Sequence, residues 1–351
     1  DLEWTFAHAL IRDVAYGRPS RADRASRHEQ IGRWMEATSR DRMTDVAEVL
    51  AYHFGEAIRL QSDPSEELRS RGYAALLAAG ARASRLDAKR AIELYRQAAD
   101  AAVTDAERGL ALIEAGDCAA TREELEEFGA AAEEIFIRLG DVENQARARG
   151  LTGTALWFKG ETEEAERHVD ESLALIADRL ESMVGAKGLV DKASILWRTG
   201  RVAESEAVID QARPIVERYG GASTRMYLLH VHAGNLLSMG DLSGMEITRQ
   251  VLGMALDRGE STRAASSYNG LATHLLFFEH VDKVLEVVDE GVEFTRSRGM
   301  KGHEEWTRMT RFESLFPLGR MQEILDEIDD LLEQRSEEHT SELQSRPHIS
   351  Y

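Results

Sequence analysis

The sequence predicts an all-α chain built as a solenoid of antiparallel helix pairs. Three observations carry this reading. Helix formers (Ala, Glu, Leu, Arg) dominate the 351 residues, only five are proline, and Val/Ile/Thr alternation of the strand type is nearly absent. A leucine followed by a bulky apolar residue recurs, with a turn residue near four positions later: Leu156-Trp157-Phe158-Lys159-Gly160, Leu196-Trp197-Arg198-Thr199-Gly200, Leu236-Leu237-Ser238-Met239-Gly240, Leu275-Leu276-Phe277-Phe278-Glu279 and Leu315-Phe316-Pro317-Leu318-Gly319. The marker at the fifth place advances by 40, 40, 39 and 40 residues. A fixed period of that size belongs to helical repeats, in which no unit buries its apolar face alone.

Composition narrows the function. The formal charge of −20 disfavours a nucleic-acid surface, which needs concentrated Lys and Arg. One cysteine, Cys118, rules out an internal disulfide and fits a reducing compartment. No apolar run approaches a membrane span and no signal peptide is visible, so a cytoplasmic location without membrane or nucleic-acid partners is expected.

The chain starts at Asp1 in mid-pattern and reads as a fragment. Residues 4–16 run Trp-Thr-Phe-Ala-His-Ala-Leu-Ile-Arg-Asp-Val-Ala-Tyr. A stretch with Arg18, Arg21, Arg24 and Arg27 follows and reads as a solvated helix face. Next come an amphipathic helix through Ile31 and Trp34 and the apolar run from Val46 to Phe54. This order resembles the end of the ATPase module of bacterial STAND regulators, where a winged helix leads into helical repeats. Adenylate cyclases with a predicted-ATPase part and LuxR/MalT-like activators are similar. The resemblance implies that residues 1–36 are the C-terminal part of a winged-helix segment and 37–71 a helical connector. It also implies that His8 contacts the β-phosphate of ADP in the intact parent, with Leu10, Ile11 and Asp13 in register, while Phe6, Ala7 and Ala9 depart from the motif. Read on its own, His8 fills the start of a helix. No GxxxxGK(S/T) loop occurs in the chain, so ATP or ADP would belong to the parent and no cofactor is expected here.

The run Arg85–Ala99 places Ala91, Tyr95 and Ala98 on one helix face, and Leu125 and Ala132 continue the pattern. This small-Tyr-Ala arrangement resembles the tetratricopeptide (TPR) repeat, of period about 34. The resemblance covers roughly residues 72–334 and implies a right-handed superhelix. Five residues after the markers fall Ala165, Ser205, Met245, Val284 and Ile324, opening an apolar stripe on each second helix. Small residues seven before the markers (Gly153, Ala193, Ala233, Ala272) allow close helix approach, and Phe312 departs from this. Pro19 and Pro64 fall between helices, Pro214 is expected to kink or end its helix, and Pro317 precedes a turn. Residues 335–351 begin RSEEHTSELQS and end Ile349-Ser350-Tyr351. They resemble the translation of a common sequencing-library adapter, so they are set aside as a non-native tail.

No residue set reads as catalytic or metal-binding. His230 and His232 point about 200° apart on a helix. His274 and His280 lack companions at ligand spacing, and Cys118 has no nucleophile signature. The glutamate runs at 123–127 and 161–164 read as outer faces. The TPR resemblance implies that first helices line a concave groove. Near each turn, Trp157, Trp197, Leu237, Leu276 and Phe316, with Phe158, Arg198 and Phe277 after them, are therefore groove residues or inter-repeat core. Ten before the markers stand Gly150, Val190, His230, Asn269 and Met309, unlike the Lys/Asn clamp for a terminal carboxylate. The expected function is the interaction or sensor arm of a signal-transduction ATPase regulator. It would bind a partner protein, a peptide or a small inducer and control an upstream nucleotide switch. A stand-alone TPR adaptor or scaffold without ATPase is the alternative.

Overall fold

The computed structural model describes residues 14–332 except 40–42, 86, 120, 278–280, 330 and 331. His8 and the 335–351 tail lie outside the described residues. Fifteen named helices follow in order. They are α1 (Arg21–Thr38), α2 (Met43–Arg59), α3 (Glu66–Ala83), α4 (Ala88–Ala101), α5 (Asp105–Asp117), α6 (Arg122–Leu139), α7 (Val142–Lys159) and α8 (Thr162–Leu175). Then come α9 (Met183–Arg198), α10 (Val202–Tyr219), α11 (Ala222–Ser238), α12 (Ser243–Arg258), α13 (Ser261–Phe277), α14 (Val281–Ser297) and α15 (Lys301–Leu315), with a last helical stretch at 321–329. No strand occurs among the described residues.

The repeated Leu-x-x-x-Gly spacing is a helix C-cap. At the end of α7 the Gly160 N–H donates to the Trp157 carbonyl and the Glu161 N–H reaches back to Leu156, both at 3.0 Å. The same pair of bonds ends α9 through Gly200 and Arg201, and α11 through Gly240 and Asp241. After α15 the Gly319 N–H donates to Phe316 and the Arg320 N–H to Leu315. All four glycines sit at φ between 68° and 83°, the left-handed region closed to most side chains. Starts are secured by side-chain caps at Ser20, Ser65, Asp87, Thr121, Asp141 and Ser182, and α5 by a full capping box between Thr104 and Glu107. The helix around Pro214 continues to Tyr219, so the proline does not end it.

The turn brings the small residues together. Ala165, Ser205, Met245, Val284 and Ile324 are all buried, as are Ala193, Ala233 and Ala272. Ser205 Oγ donates to the Ala193 carbonyl at 2.8 Å, and Ser172 Oγ to Ala146 at 2.8 Å, so second helices are hydrogen-bonded onto first-helix backbone. Phe312 is buried in place of a small residue and packs with Leu315 and Ile324. One apolar cluster runs from Ala47 through Tyr95 to Phe128, joining α2 to α6 without a break.

Each helix packs on its neighbour in sequence, and the first helices of successive pairs also touch one another along α5, α7, α9, α11, α13 and α15. That continuous inner layer is the mark of a superhelix. It comes full circle: Ser261 Oγ, at the start of α13, donates to the Arg85 carbonyl between α3 and α4 at 2.7 Å, across 176 residues.

The connector is tied by a polar chain. His53 Nδ1 and His28 Nδ1 lie 2.9 Å apart, His28 Nε2 is 2.9 Å from the Tyr16 hydroxyl, and Tyr16 donates to Glu56 at 3.4 Å. One assignment satisfies all three bonds: His53 donates to His28, and His28 donates to Tyr16, with both rings neutral. Burial lowers both histidine pKa values; Arg24 and Arg59 add to this at His28 and Glu56 opposes it. Tyr52 packs edge-on against His28. Arg21, expected on a solvated face, caps the end of α2 by donating to the Leu60 and Arg59 carbonyls at 2.9 Å.

Two outcomes are expected. Gly200→Ala forces a left-handed alanine and lowers stability by about 1–2 kcal/mol. Gly150→Ala, a helical site where a Cβ meets nothing, raises it by up to about 1 kcal/mol; denaturant midpoints compare the two. Because the folded state lowers the His28 and His53 pKa values, their contribution is complete above about 6.5 and is lost as pH falls below it. Amide exchange in α1 and α2 should therefore accelerate from pH 7.5 to pH 5.5, and His28→Gln should flatten that dependence.

Candidate functional site

The inner layer carries a polar stripe. On α9, Lys187, Asp191, Ser194 and Arg198 follow the i, i+4, i+7, i+11 spacing of one helix face. Tyr227, His230 and Ser238 lie along α11, Arg263 and His274 along α13, and His303 on α15. Glu114 and Asp117 on α5 and Arg147 on α7 continue it toward the connector, with Arg147 bonded to Glu114 at 3.1 Å and Asp117 at 3.4 Å.

These residues face one another across the ring. Asp117 on α5 acts electrostatically on Lys187 two first helices away, and Arg263 on α13 feels Asp191 and Arg198 on α9. Lys187 keeps 41% of its side chain accessible although protein surrounds it, as a side chain does in a water-filled lumen. Its ammonium donates to Asp191 at 3.1 Å, and the carboxylate holds the lysine pKa well above its ordinary value.

Beyond this ion pair the lumen is cationic. Arg263 lies over the Tyr227 ring at 4.2 Å, and Arg198 over Trp197 at 5.1 Å and Trp157 at 5.9 Å. Among the described residues neither guanidinium has a carboxylate within 4 Å. The buried Arg263 Nε and the His230 Nδ1 have no hydrogen-bond partner. Burial first, then Arg263 and Arg198, pushes the His230 pKa well down, and burial lowers His274 and His303 as well. All three rings are neutral at physiological pH.

The residues singled out near the turns divide. Leu237 is buried and Leu276 half-buried in the core around Leu275 and Val284, while Trp157 packs against Ala165, Val169 and Ile195. Trp197 does two things: it packs against the α9–α11 core, and its indole N–H donates to Ser238 Oγ at 3.2 Å, edge-on to His230. Arg198 stands on the lumenal stripe. Phe158 and Phe316 are exposed, at 62% and 65%. The backbone of Phe277 closes α13, and its side chain lies outside the described residues. His230 and His232 diverge, the second ring meeting Glu206 at 2.9 Å on α10. Cys118 is no nucleophile, because burial first and then Asp117 and Glu114 raise its thiol to about 12. Sequence reasoning passed over Lys187, Asp191, Tyr227 and Arg263. A 40-residue step from Arg147 reaches Lys187 and then Tyr227, which is the signal that was there to find.

The outer face offers less. A shallow hollow of about 510 Å³ along α8 is lined by Glu163, Glu166, Arg167, Asp170, Glu171 and Ala174. Its acids are already engaged: Glu166 by Arg201, Asp170 by Lys192 and Glu171 by Arg167 and Arg149. The glutamate run at 123–127 is similarly taken up, with Glu127 on Arg96 and Glu126 on Lys159. No group of three or more His, Cys, Asp or Glu among the described residues is placed to hold a metal ion, and none of their helices is long and apolar enough to cross a membrane.

No known protein family and no curated protein matches the chain. Solved structures do. Aspartyl phosphate phosphatase F from Bacillus subtilis aligns with TM-score 0.51 at 9% identity, covering 73% of each chain. The Rap conjugation gene regulator of a plasmid, in complex with its Phr peptide, aligns with TM-score 0.50 at 10% identity, over 86% of this chain and 97% of that one. A STAND protein with a TPR sensor from Pyrococcus horikoshii aligns with TM-score 0.44 at 14% identity, over 89% of this chain and 49% of that one. At such identities the likeness is one of fold: a TPR-like helical-repeat solenoid.

A Cβ at Gly234 would lie 2.1 Å from Trp197 Cζ2. Gly234→Ala must therefore turn the indole out of the lumen wall and break its bond to Ser238, at a cost of about 1–3 kcal/mol. A red-shifted tryptophan emission and a lower denaturant midpoint would register this. Unchanged emission would mean that the two helices part instead.

Proposed function

We propose that this chain is the protein- or peptide-binding sensor arm of a cytoplasmic signal-transduction ATPase regulator, with the lumen as its ligand site. The observation that carries the reading is the pair of carboxylate-free arginines, Arg198 and Arg263, inside a strongly acidic protein. Buried cations without partners cost desolvation, and a ligand that supplies their hydrogen bonds recovers it. The Rap regulator, of the same fold, is seen with a peptide, and a closed helical lumen suits an extended segment or a small inducer equally well.

In this reading residues 72–334 are the repeat arm, 37–71 its connector and 1–36 the end of a winged helix. His8 senses ADP held by an upstream module of the parent. Ligand in the lumen favours one winding of the arm, and the connector transmits that preference to the ATPase by population shift. The chain itself performs no chemistry.

Sequencing the source gene upstream of Asp1 tests the ATPase linkage. A P-loop in frame is expected; a start codon directly before Asp1 would leave a stand-alone TPR adaptor.

A further inference from the structure

The charges in the lumen specify what the ligand carries. Four first helices converge on one place: α9 brings Arg198, α11 Tyr227 and His230, α13 Arg263, and α15 His303. Arg263 acts on both His230 and His303, and Arg198 acts on His230 and Arg263, so the groups lie within one another's field. Two like charges held together without a counter-charge are an unfavourable arrangement that an anion relieves. Elsewhere on the inner layer arginines are engaged by acids, Arg147 by Glu114 and Asp117, and Arg149 by Glu133 and Glu171.

The stacking sets the shape of the anion. Arg263 lies flat over Tyr227, which leaves its hydrogen-bonding edge, including the unpartnered Nε, as the free face. An edge-on guanidinium matches a planar two-oxygen group. His230 is buried to 6% exposure, and its unpartnered Nδ1 is a further polar atom at the same place. At the other end Asp191, Glu114 and Asp117 outnumber Lys187 and Arg147, so the field along the lumen runs from positive to negative.

We propose that the Arg263–Arg198–His230 junction is a carboxylate subsite, which takes a peptide by its C-terminal carboxylate and leaves its cationic end toward Asp117 and Asp191. The inference rests on the lumen being the ligand site. The Lys/Asn clamp absent from the positions ten before the turns is replaced by arginines from two other registers of the inner helices.

The test uses the whole chain and an equimolar pool of random hexapeptides in two forms, C-terminal acid and C-terminal amide, with retained peptides counted by mass spectrometry. The wild type should enrich the acid form about tenfold over the amide, and Arg263→Gln should abolish that preference while still retaining peptides. Arg263→Lys should recover part of it, because charge remains and the fork is lost. Thermal melts of both variants establish that they fold. Enrichment of amidated peptides that carry Asp or Glu would assign the subsite to a side-chain carboxylate and overturn the terminal orientation. Equal retention of acid, amide and neutral peptides overturns the subsite but leaves lumenal binding standing. Retention of neither pool by the wild type overturns the binding reading itself.

Discussion

The left-handed glycine that ends each of four first helices is the constraint on which the repeat architecture depends. It lets two N–H groups turn back onto the last carbonyls, so the chain reverses within two residues. A reversal that short fixes which side chains can meet: the residue five after the glycine lands near the residue seven before it. Both must be small, or one must be, and Ser205 against Ala193 shows the result, a hydroxyl bonded directly to facing backbone. Helix separation, the touching of alternate helices and the inward direction of the polar stripe follow from that geometry.

The repeats were legible because turn and close approach are both local in sequence. Leu-x-x-x-Gly declares a C-cap, and a small residue twelve positions before its partner declares the contact. The return turns were less visible. Gly140, Gly259 and Gly299 also adopt left-handed φ, but Leu180 interrupts the series and Gly220 is extended, at φ −71°. The lumen was the hardest part to see. Its residues come from helices more than a hundred positions apart, and they face one another only because the superhelix closes. Trp197 shows why position near a turn could not decide between groove and core: one face of its indole packs against the helices and its edge meets His230 and Ser238.

Charge is sorted by layer. Second helices carry glutamates paired with arginines of adjacent repeats, as Glu166 with Arg201 and Glu127 with Arg96, which stitch the outer surface but contribute little each in water. The inner layer holds the cations that are left without acids. An anionic exterior around a cationic interior channel concentrates the field where the walls exclude bulk solvent. Most of the protein's charge makes it soluble, while two arginines give its interior a polarity.

The hydrogen bond from Ser261 to Arg85 turns a spring into a closed coil. A solenoid changes length by small, equal twists at every repeat, and over nine intervening helices those twists add up at this one seam. Parting the seam opens the side wall and lengthens the coil in the same motion, so gate and strain gauge are one object. An occupant that swells the bore must unwind the whole array, and an occupant that draws the walls together tightens it. Elastic coupling of this kind requires no special pathway of residues, because the pitch of the coil is itself the message.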